Sequence, residues 1–305
     1  MVLVEAIILS VLAASTPLLL AATGELVTER AGVLNLGVEG MMIVGAACGF
    51  GAAWLSGSII VGALCGIIAG MLLSLIFAFM TLGLAVNQVA TGLALTILGI
   101  GLSGLIGARF VGERITTAPH LYIPGLSDIP LVGRILFGED AFVYLSLALI
   151  VAVWWFLYRT RAGLVLRACG DNHVSAHALG YPVLRIRMLA VLFGGGCAGL
   201  AGAYLPLAYT PFFIPGMTAG RGWIALALVV FASWRPGRLV IGAYLFGAVT
   251  ILQLHAQGAG VGIPSQFMSA LPYLATVIVL VLLSRARTGG STAPAALGTV
   301  FVPDR

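Results

Sequence analysis

Residues 41–108 read MMIVGAACGFGAAWLSGSIIVGALCGIIAGMLLSLIFAFMTLGLAVNQVATGLALTILGIGLSGLIGA and contain no Asp, Glu, Lys or Arg. A transmembrane helix needs about 20 consecutive apolar residues, so this stretch could cross a bilayer about three times. Over all 305 residues, 61% are hydrophobic, 8% are charged, and the mean hydropathy is +1.13. Soluble domains carry about 25% charged residues. The composition excludes a soluble enzyme and a nucleic-acid-binding module, and it predicts an all-α integral membrane protein.

Apolar runs of spanning length predict about nine transmembrane helices. They cover residues 4–23, 37–55, 58–80, 88–110, 140–158, 187–209, 219–234, 239–257 and 267–284. Arginine concentrates in cytoplasmic loops. Alternating crossings then put eleven arginines inside and four outside, the latter being Arg109, Arg114, Arg134 and Arg221. This orientation predicts an outside N-terminus and a cytoplasmic C-terminus in a bacterial inner membrane.

The chain is predicted to form one transmembrane domain over residues 1–287, with no second soluble domain. The longest loop, about 111–139, is expected to face outward, and its Pro and Gly residues favour turns. Residues 288–305 are rich in Gly, Ser, Thr, Ala and Pro, so a disordered cytoplasmic tail is expected there.

Several glycines recur at helical spacing, namely Gly45/Gly49, Gly62/Gly66/Gly70 and Gly195/Gly199. Small residues four apart let helix backbones approach closely within a membrane. Packing inside one bundle is favoured over a dimer face as the explanation.

The sequence contains no Lys, since all fifteen basic residues are Arg. A Walker A loop requires a Lys on the nucleotide phosphates, so any ATP must be used by a partner. The four cysteines, Cys48, Cys65, Cys169 and Cys197, lie far apart and include no C-x-x-C pair. Neither a disulfide framework nor a metal site is indicated, and no cofactor is expected on this chain.

Few polar side chains are expected at membrane depth, and each is a candidate for a solute path. They are Asn35, Glu39, Asn87, Gln88, Thr91, Thr96, Gln253 and His255. Their amides and hydroxyls could line a wet passage, or they could join neighbouring helices by hydrogen bonds. Glu39 could likewise be functional, as intramembrane acids often are. Alternatively, it could complement the dipole of its own helix and pair with Arg30, which is slightly favoured.

Residues 158–182, YRTRAGLVLRACGDNHVSAHALGYP, predict a short helix outside the membrane. Asp171 or Asn172 can cap its start, and Gly180 can end it. Such a short helix is unstable alone, so its apolar stripe of Val174, Ala178 and Leu179 must dock on the bundle or on a partner. His173 and His177 have the spacing of a metal pair, but no third ligand is evident.

Four segments in this order resemble the permease subunits of ATP-binding-cassette importers, in the branch for simple sugars, purine nucleosides and branched-chain amino acids. They are residues 28–46 (TERAGVLNLGVEGMMIVGA), residues 87–95 (NQVATGLAL), the loop just described, and residues 220–236 (GRGWIALALVVFASWRP). The nucleoside and sugar members are the most similar, and the segments are spread over most of residues 24–285.

The resemblance implies a permease bundle whose coupling helix, about residues 171–180, docks on a separate ATPase subunit that binds ATP and magnesium. The implied coupling residues are Asp171, Asn172, His173, Ala176, His177, Leu179 and Gly180. It further implies a second permease, expected to be a different and longer chain, and an extracytoplasmic solute-binding protein. This chain itself breaks no bond in the solute. Besides these proteins, membrane lipid is the other partner expected for this chain.

Two other classes compete with this interpretation. An ion-coupled secondary transporter would need ionisable or ion-coordinating groups near the membrane midplane, for which Glu39 and His255 are the only candidates. A membrane-embedded enzyme finds no support in a catalytic motif such as H-E-x-x-H or G-x-S-x-G.

Overall fold

The computed structural model describes residues 2–121, 137–258 and 293–302, together with single positions inside the two intervening stretches. Apart from isolated β-bridges, these residues form ten α-helices and the connections between them. The helices are α1 (Val2–Arg30), α2 (Val38–Ser56), α3 (Ile59–Ala78), α4 (Gln88–Gly107), α5 (Ala141–Arg159), α6 (Arg161–Asp171), α7 (His173–Ala178), α8 (Val183–Tyr204), α9 (Arg221–Phe231) and α10 (Pro236–Gly258). Short π-helical turns extend α3 to Gly83 and α8 to Tyr209.

Seven helices in the described part of the chain are long and apolar enough to cross a membrane, namely α1, α2, α3, α4, α5, α8 and α10. They confirm the all-helical membrane fold. The first is longer than the predicted run 4–23, because the helix continues through a polar turn to Arg30 and stops before Gly32 at φ +87°. Only separate positions of the ninth predicted run, 267–284, are described, and residues 122–132 and 134–136 of the loop 111–139 lie outside the described residues.

The run 219–234, predicted to span the membrane as a helix, instead contains the eleven-residue helix α9. At 1.5 Å per residue this helix is only about 16 Å long, roughly half of a hydrocarbon core. The chain nevertheless connects the two ends of the bundle here. Phe213 forms a bridge with Val111 after α4, while Trp234 accepts hydrogen bonds from Arg30 at the end of α1. The chain therefore passes between the two ends first as the non-helical segment 214–220 and then as helix α9. We call residues 214–231 the broken helix.

Helices α2 and α8 lie at the centre, and the glycine stripes explain how closely they pack with α3. A Cβ on Gly45 would collide with the carbonyl oxygen of Gly199, and one on Gly70 with that of Gly195. Gly66 likewise faces Ala203 at the same three-helix contact. The expectation that the stripes serve packing within the bundle is confirmed at these positions.

The prediction of a disordered tail over 288–305 is wrong for residues 293–302, which we call the tail segment. Ala296 and Phe301 are buried, and the Ala296 amide donates to the Gly170 carbonyl at 2.9 Å. The Gly298 amide donates to the Gly32 carbonyl at 3.2 Å. Composition indicated disorder because it does not reveal that the ends of α1 and α6 present free carbonyl groups to this segment.

Candidate functional site

The connection between α1 and α2, residues 28–39, joins elements that are far apart in sequence, and we call it the junction. The Thr28 hydroxyl donates to the Ala190 carbonyl of α8 at 3.2 Å. Arg30 donates through Nε and Nη2 to the Trp234 carbonyl at 3.1 and 2.7 Å. The junction therefore fixes α1 against both α8 and the turn that precedes α10.

The start of α4 lies against the middle of the junction. Gln88 is buried and its Oε1 accepts from the Leu34 amide at 2.8 Å, while the Thr96 hydroxyl donates to the Leu36 carbonyl at 3.1 Å. Asn35 is also buried, and its Oδ1 accepts from the Gly37 amide at 2.9 Å. Of the polar candidates in this region, Gln88 keeps a buried Nε2 that has no hydrogen-bond partner among the described residues.

Glu39 is the point at which the junction contacts the broken helix. Its Oε1 accepts from the Thr218 hydroxyl at 2.6 Å and from the Gly220 amide at 2.9 Å, and its Oε2 accepts from the Gly222 amide at 2.6 Å. The expectation that Glu39 pairs with Arg30 is wrong. The carboxylate does satisfy a helix N-terminus, but it is that of α9, whose free amide groups attract an anion.

Two further buried acids, Glu25 and Glu29, were not among the candidates. The first predicted apolar run ends at residue 23, so Glu25 and Glu29 fall in the connection after it. Glu25 Oε1 accepts from the Asn35 amide at 3.2 Å, and Glu29 accepts from the indole nitrogen of Trp234. The absence of Pro and Gly from residues 25–31 is the signal that could have extended the helix.

The remaining polar candidates are spread out. Asn87 is exposed and caps α4, with Oδ1 accepting from the Ala90 amide at 3.0 Å, and the Thr91 hydroxyl donates to the Asn87 carbonyl at 2.8 Å. Gln253 and His255 lie on α10, which packs on α1, α5 and α9 rather than beside α4. The structure brings Asn35, Gln88 and Thr96 together at the junction, and it leaves Gln253 and His255 apart from them.

The loop between α5 and α8 folds into two helices, where sequence predicted one. The first, α6, begins with Thr160 as its cap, and the second, α7, is the predicted coupling helix. Asn172, rather than Asp171, caps α7, and its Oδ1 accepts from the Ser175 amide at 2.9 Å. Gly180 ends the helix at φ +85°, and its amide donates to the His177 carbonyl at 2.8 Å. The predicted cap and stop signals are confirmed.

The coupling helix presents its larger apolar side chains to solvent. Val174 is 63% exposed and Leu179 is 77% exposed. Ala176, which was expected on the partner-facing surface, is instead 3% exposed and packs with Cys169 and Val183. The inward face of this six-residue helix is therefore small, and its outward face is available for a partner.

The two histidines of the coupling helix hold an aromatic ring of the tail segment. The Phe301 ring centroid lies 4.9 Å from that of His173 and 5.4 Å from that of His177. His173 Nδ1 also lies 3.2 Å from Nη2 of the fully buried Arg187. A guanidinium can only donate, so Nδ1 is the unprotonated acceptor. Burial, and then the Arg187 charge, lower the pKa of His173.

A basic cavity of about 740 Å³ opens at the same end of the bundle as α6 and α7. Arg30, Arg235 and Arg238 line it together with Tyr158 and Asp171. At this end, then, three arginines from the end of α1 and the start of α10 lie around one opening. Within the described part of the chain, no three His, Cys, Asp or Glu residues are grouped in a way that could hold a metal ion.

Comparison with known proteins gives consistent matches over most of the chain. It is 46% identical to the putative glucose ABC transporter permease protein TsgC13 of Haloferax volcanii, over 88% of each chain. It is 31% identical to the nucleoside ABC transporter permease protein NupC of Lactococcus lactis, over 99% of this chain and 98% of that protein. It is 24% identical to the glucose ABC transporter permease protein TsgB13 of Haloferax volcanii, over 88% of this chain and 75% of that one.

The family model described as "Branched-chain amino acid transport system / permease component" matches residues 7–287. That range includes the junction, the broken helix and α7, and it covers nearly the whole membrane bundle. A permease of an ATP-binding-cassette transporter works with an ATPase and with a further permease, which agrees with a chain that has no phosphate-binding Lys. The protein belongs to this family of transport permeases and is itself a membrane-embedded transport component rather than an enzyme.

Proposed function

We propose that this protein forms part of the translocation path of an ATP-driven importer for a simple sugar or a purine nucleoside. Support for the solute class comes from the glucose and nucleoside permeases to which nearly the whole chain is similar. Import of branched-chain amino acids is the alternative within the family, because the family description names them.

The observation that carries the mechanism is a capped, outward-facing helix connected to the transmembrane junction. Leu179 and Val174 expose apolar surface on α7, while its neighbour Arg187 reaches the Ala31 carbonyl at 3.1 Å. In our proposal an ATPase subunit that binds ATP and magnesium grips residues 171–180. Its movement is passed through Arg187 to α1, and the bundle alternates between its two openings.

The solute path is proposed to run beside the junction at the start of α4. Gln88 supports this position because its buried Nε2 has no hydrogen-bond partner in the described part of the chain and would donate to a solute hydroxyl. Thr91 and Asn87 extend the polar surface along α4, and Gln253, which lies apart from them on α10, would line another part of the path. Asn35 and Glu39 would maintain the wall of the path, since their oxygen atoms already bind protein amides.

The coupling helix is proposed to face the cytoplasm, with the N-terminus of the chain outside and the C-terminus inside. The arginines around the basic cavity support this orientation through the positive-inside rule. Since one similar permease is archaeal and another bacterial, the membrane is proposed to be the cytoplasmic membrane of a prokaryote. An extracytoplasmic binding protein would deliver the solute.

Solute uptake by the reconstituted transporter tests the proposal. Proteoliposomes containing this chain, its ATPase and its second permease are supplied with binding protein and with glucose, guanosine or leucine in separate assays. Uptake of one solute that requires internal ATP is expected, and Leu179→Asp is expected to abolish it while membrane insertion remains normal. Uptake driven by a proton gradient in this chain alone would contradict the proposal and favour a secondary transporter.

A further inference from the structure

The tail segment is attached to the coupling helix and to two elements of the bundle. Ala296 binds the end of α6, Gly298 binds Gly32 after α1, and the Thr299 carbonyl accepts from Arg187 Nη1 at 3.2 Å. These are backbone contacts on the tail side, so they hold a specific path of the chain. The segment therefore lies close to the end of α6 and to Arg187 of α8.

Phe301 supplies the apolar support that the coupling helix lacks. A helix of six residues cannot be stable alone, and its inward residue Ala176 contributes only a methyl group. The Phe301 ring completes a small buried cluster with Ala176, Cys169 and Val183. Because the ring also contacts both histidines, it covers the inward face of α7 along most of its length.

Arg187 connects the same helix to the transmembrane part. It is fully buried, and its three nitrogens contact the Ala31 carbonyl, the Thr299 carbonyl and His173 Nδ1 at 3.1, 3.2 and 3.2 Å. The planar guanidinium fixes the direction of each of these contacts. A shift of α7 or of the tail segment would therefore break a hydrogen bond to the same guanidinium that binds the end of α1.

The outward side of the tail segment is apolar. Val302 is 66% exposed and Val300 is also exposed, on either side of the inward-facing Phe301. Val174 and Leu179 are exposed on the adjacent coupling helix. Exposed apolar side chains therefore occur on two segments that are more than a hundred residues apart in sequence and that contact each other through Phe301 and the two histidines.

We propose that the tail segment is part of the ATPase docking surface: Phe301 and Arg187 hold the coupling helix in its docking position, and Val300 and Val302 contact the same ATPase subunit. This inference rests on the proposed function, which supplies the ATPase as the occupant. Exposed apolar side chains next to a docking helix are expected to become buried when the partner binds.

Two measurements on the purified permease test it. The first is hydrogen exchange of the backbone amides of residues 175–180 in lipid nanodiscs, without the ATPase. The second is the dissociation constant for the ATPase subunit with which the permease forms its transporter. The variants are Phe301→Ala on the inward side, Val302→Asp on the outward side and Leu179→Asp on the coupling helix. Ile214→Asp, an exposed apolar position near the opposite end of the bundle, is the matched control.

Phe301→Ala is expected to speed exchange in the coupling helix about tenfold and to weaken ATPase binding about tenfold, because docking then has to order the helix again. Val302→Asp is expected to weaken binding similarly without changing exchange. Ile214→Asp should change neither quantity. If Phe301→Ala reduces the yield of folded protein, Phe301→Leu provides a milder variant, for which intermediate values are expected.

The outcomes separate this inference from the proposed function. Wild-type binding by Phe301→Ala and Val302→Asp, together with lost binding by Leu179→Asp, would overturn the role of the tail segment and leave the coupling helix intact. Wild-type binding and uptake by Leu179→Asp as well would overturn the proposed function itself.

Discussion

Glu39 and Arg187 perform similar tasks at the two ends of the junction. Each is a buried charged group whose hydrogen bonds connect segments that are far apart in sequence. Glu39 binds the start of α9, and Arg187 binds the end of α1, the tail segment and the coupling helix. Charged groups are retained at such positions when every donor or acceptor finds a partner, since an unpaired one is costly.

Glu39→Gln is expected to destabilise the bundle by about 1–3 kcal/mol, because the amide nitrogen would face the Gly220 or Gly222 N–H group that a carboxylate oxygen now accepts. The measurement is the unfolding temperature in detergent. Thr218→Val, which removes one donor and leaves the carboxylate, serves as the control and should have a smaller effect. An unchanged unfolding temperature with complete loss of uptake would instead indicate that Glu39 contacts the solute.

The contact between His173 and Arg187 is expected to weaken at acidic pH. The pKa of docked His173 is lowered from 6.5, so the released helix takes up a proton more readily than the docked one. As pH falls below about 6.5, protonation therefore favours release. The charged and titratable groups around it are Arg187, Cys169, His177 and Asp171.

Hydrogen exchange of residues 175–180, corrected for its intrinsic pH dependence, should rise severalfold between pH 7.5 and pH 5.5. The variant His173→Gln, which can still accept from Arg187, should abolish this dependence. Equal protection at both pH values in the wild-type protein would rule out His173 as its origin.

At the scale of elements, close packing of glycine backbones and the broken helix distinguish this bundle from a set of simple spans. Gly220, in a left-handed conformation, precedes helix α9. The first turn of α9 lies against Glu39, where a Cβ on Gly222 would collide with the Glu39 backbone. Helices α2, α3 and α8 approach through Gly45, Gly66 and Gly199. The coupling helix depends on caps and on the tail segment, because it has too few residues to be stable alone.

Gly199→Ala is expected to reduce the yield of folded protein strongly, since its Cβ would collide with the Gly66 carbonyl oxygen, a backbone atom that cannot rotate away. Gly101→Ala on α4 is the matched control, because nothing lies within 4 Å of the added methyl group. It should be neutral or slightly stabilising, as Ala favours a helix over Gly. Size-exclusion chromatography of both variants measures the yield, and equal yields would contradict the close-packing assignment.

Gly180→Pro is expected to abolish ATP-driven uptake while membrane insertion is retained. Gly180 has a positive φ that proline cannot adopt, and its amide donates to the His177 carbonyl. Uptake and membrane insertion are measured on the same preparation. Gly112→Pro, at another position of positive φ but far from the coupling helix in sequence, controls for general backbone damage. Normal uptake by Gly180→Pro would refute the assignment of α7 as the coupling helix.

At the scale of the whole molecule, the outer helices of the bundle present large apolar surfaces. Ile60, Ile97 and Leu105 are among the exposed side chains of α3 and α4. Lipid covers such surfaces in a membrane, and so does a second permease in a transporter of this family. The occurrence of both TsgB13 and TsgC13 among the similar proteins favours two different permease chains.

The assembled transporter is therefore expected to contain one copy of this chain and one copy of a different, longer permease. Native mass spectrometry of the complex, purified through a tag on this chain, measures the composition. Two copies of this chain with no other permease would contradict the expectation, and loss of the complex on omission of the second permease gene would support it.

The apolar runs and glycine spacing of the sequence were enough to define a multi-pass helical membrane bundle, because a bilayer imposes length and polarity on each crossing. The permease assignment followed from the resemblance of four segments to a known family. The caps Asn172 and Gly180 were also readable, since they act on adjacent residues. The partner of Glu39, the burial of Arg187 and the order of the tail segment could not be read, because each depends on which distant segment supplies the opposing hydrogen-bonding group. The spacing of residues along the chain reveals interactions between neighbours in sequence. Interactions between distant segments form only when the chain packs in three dimensions.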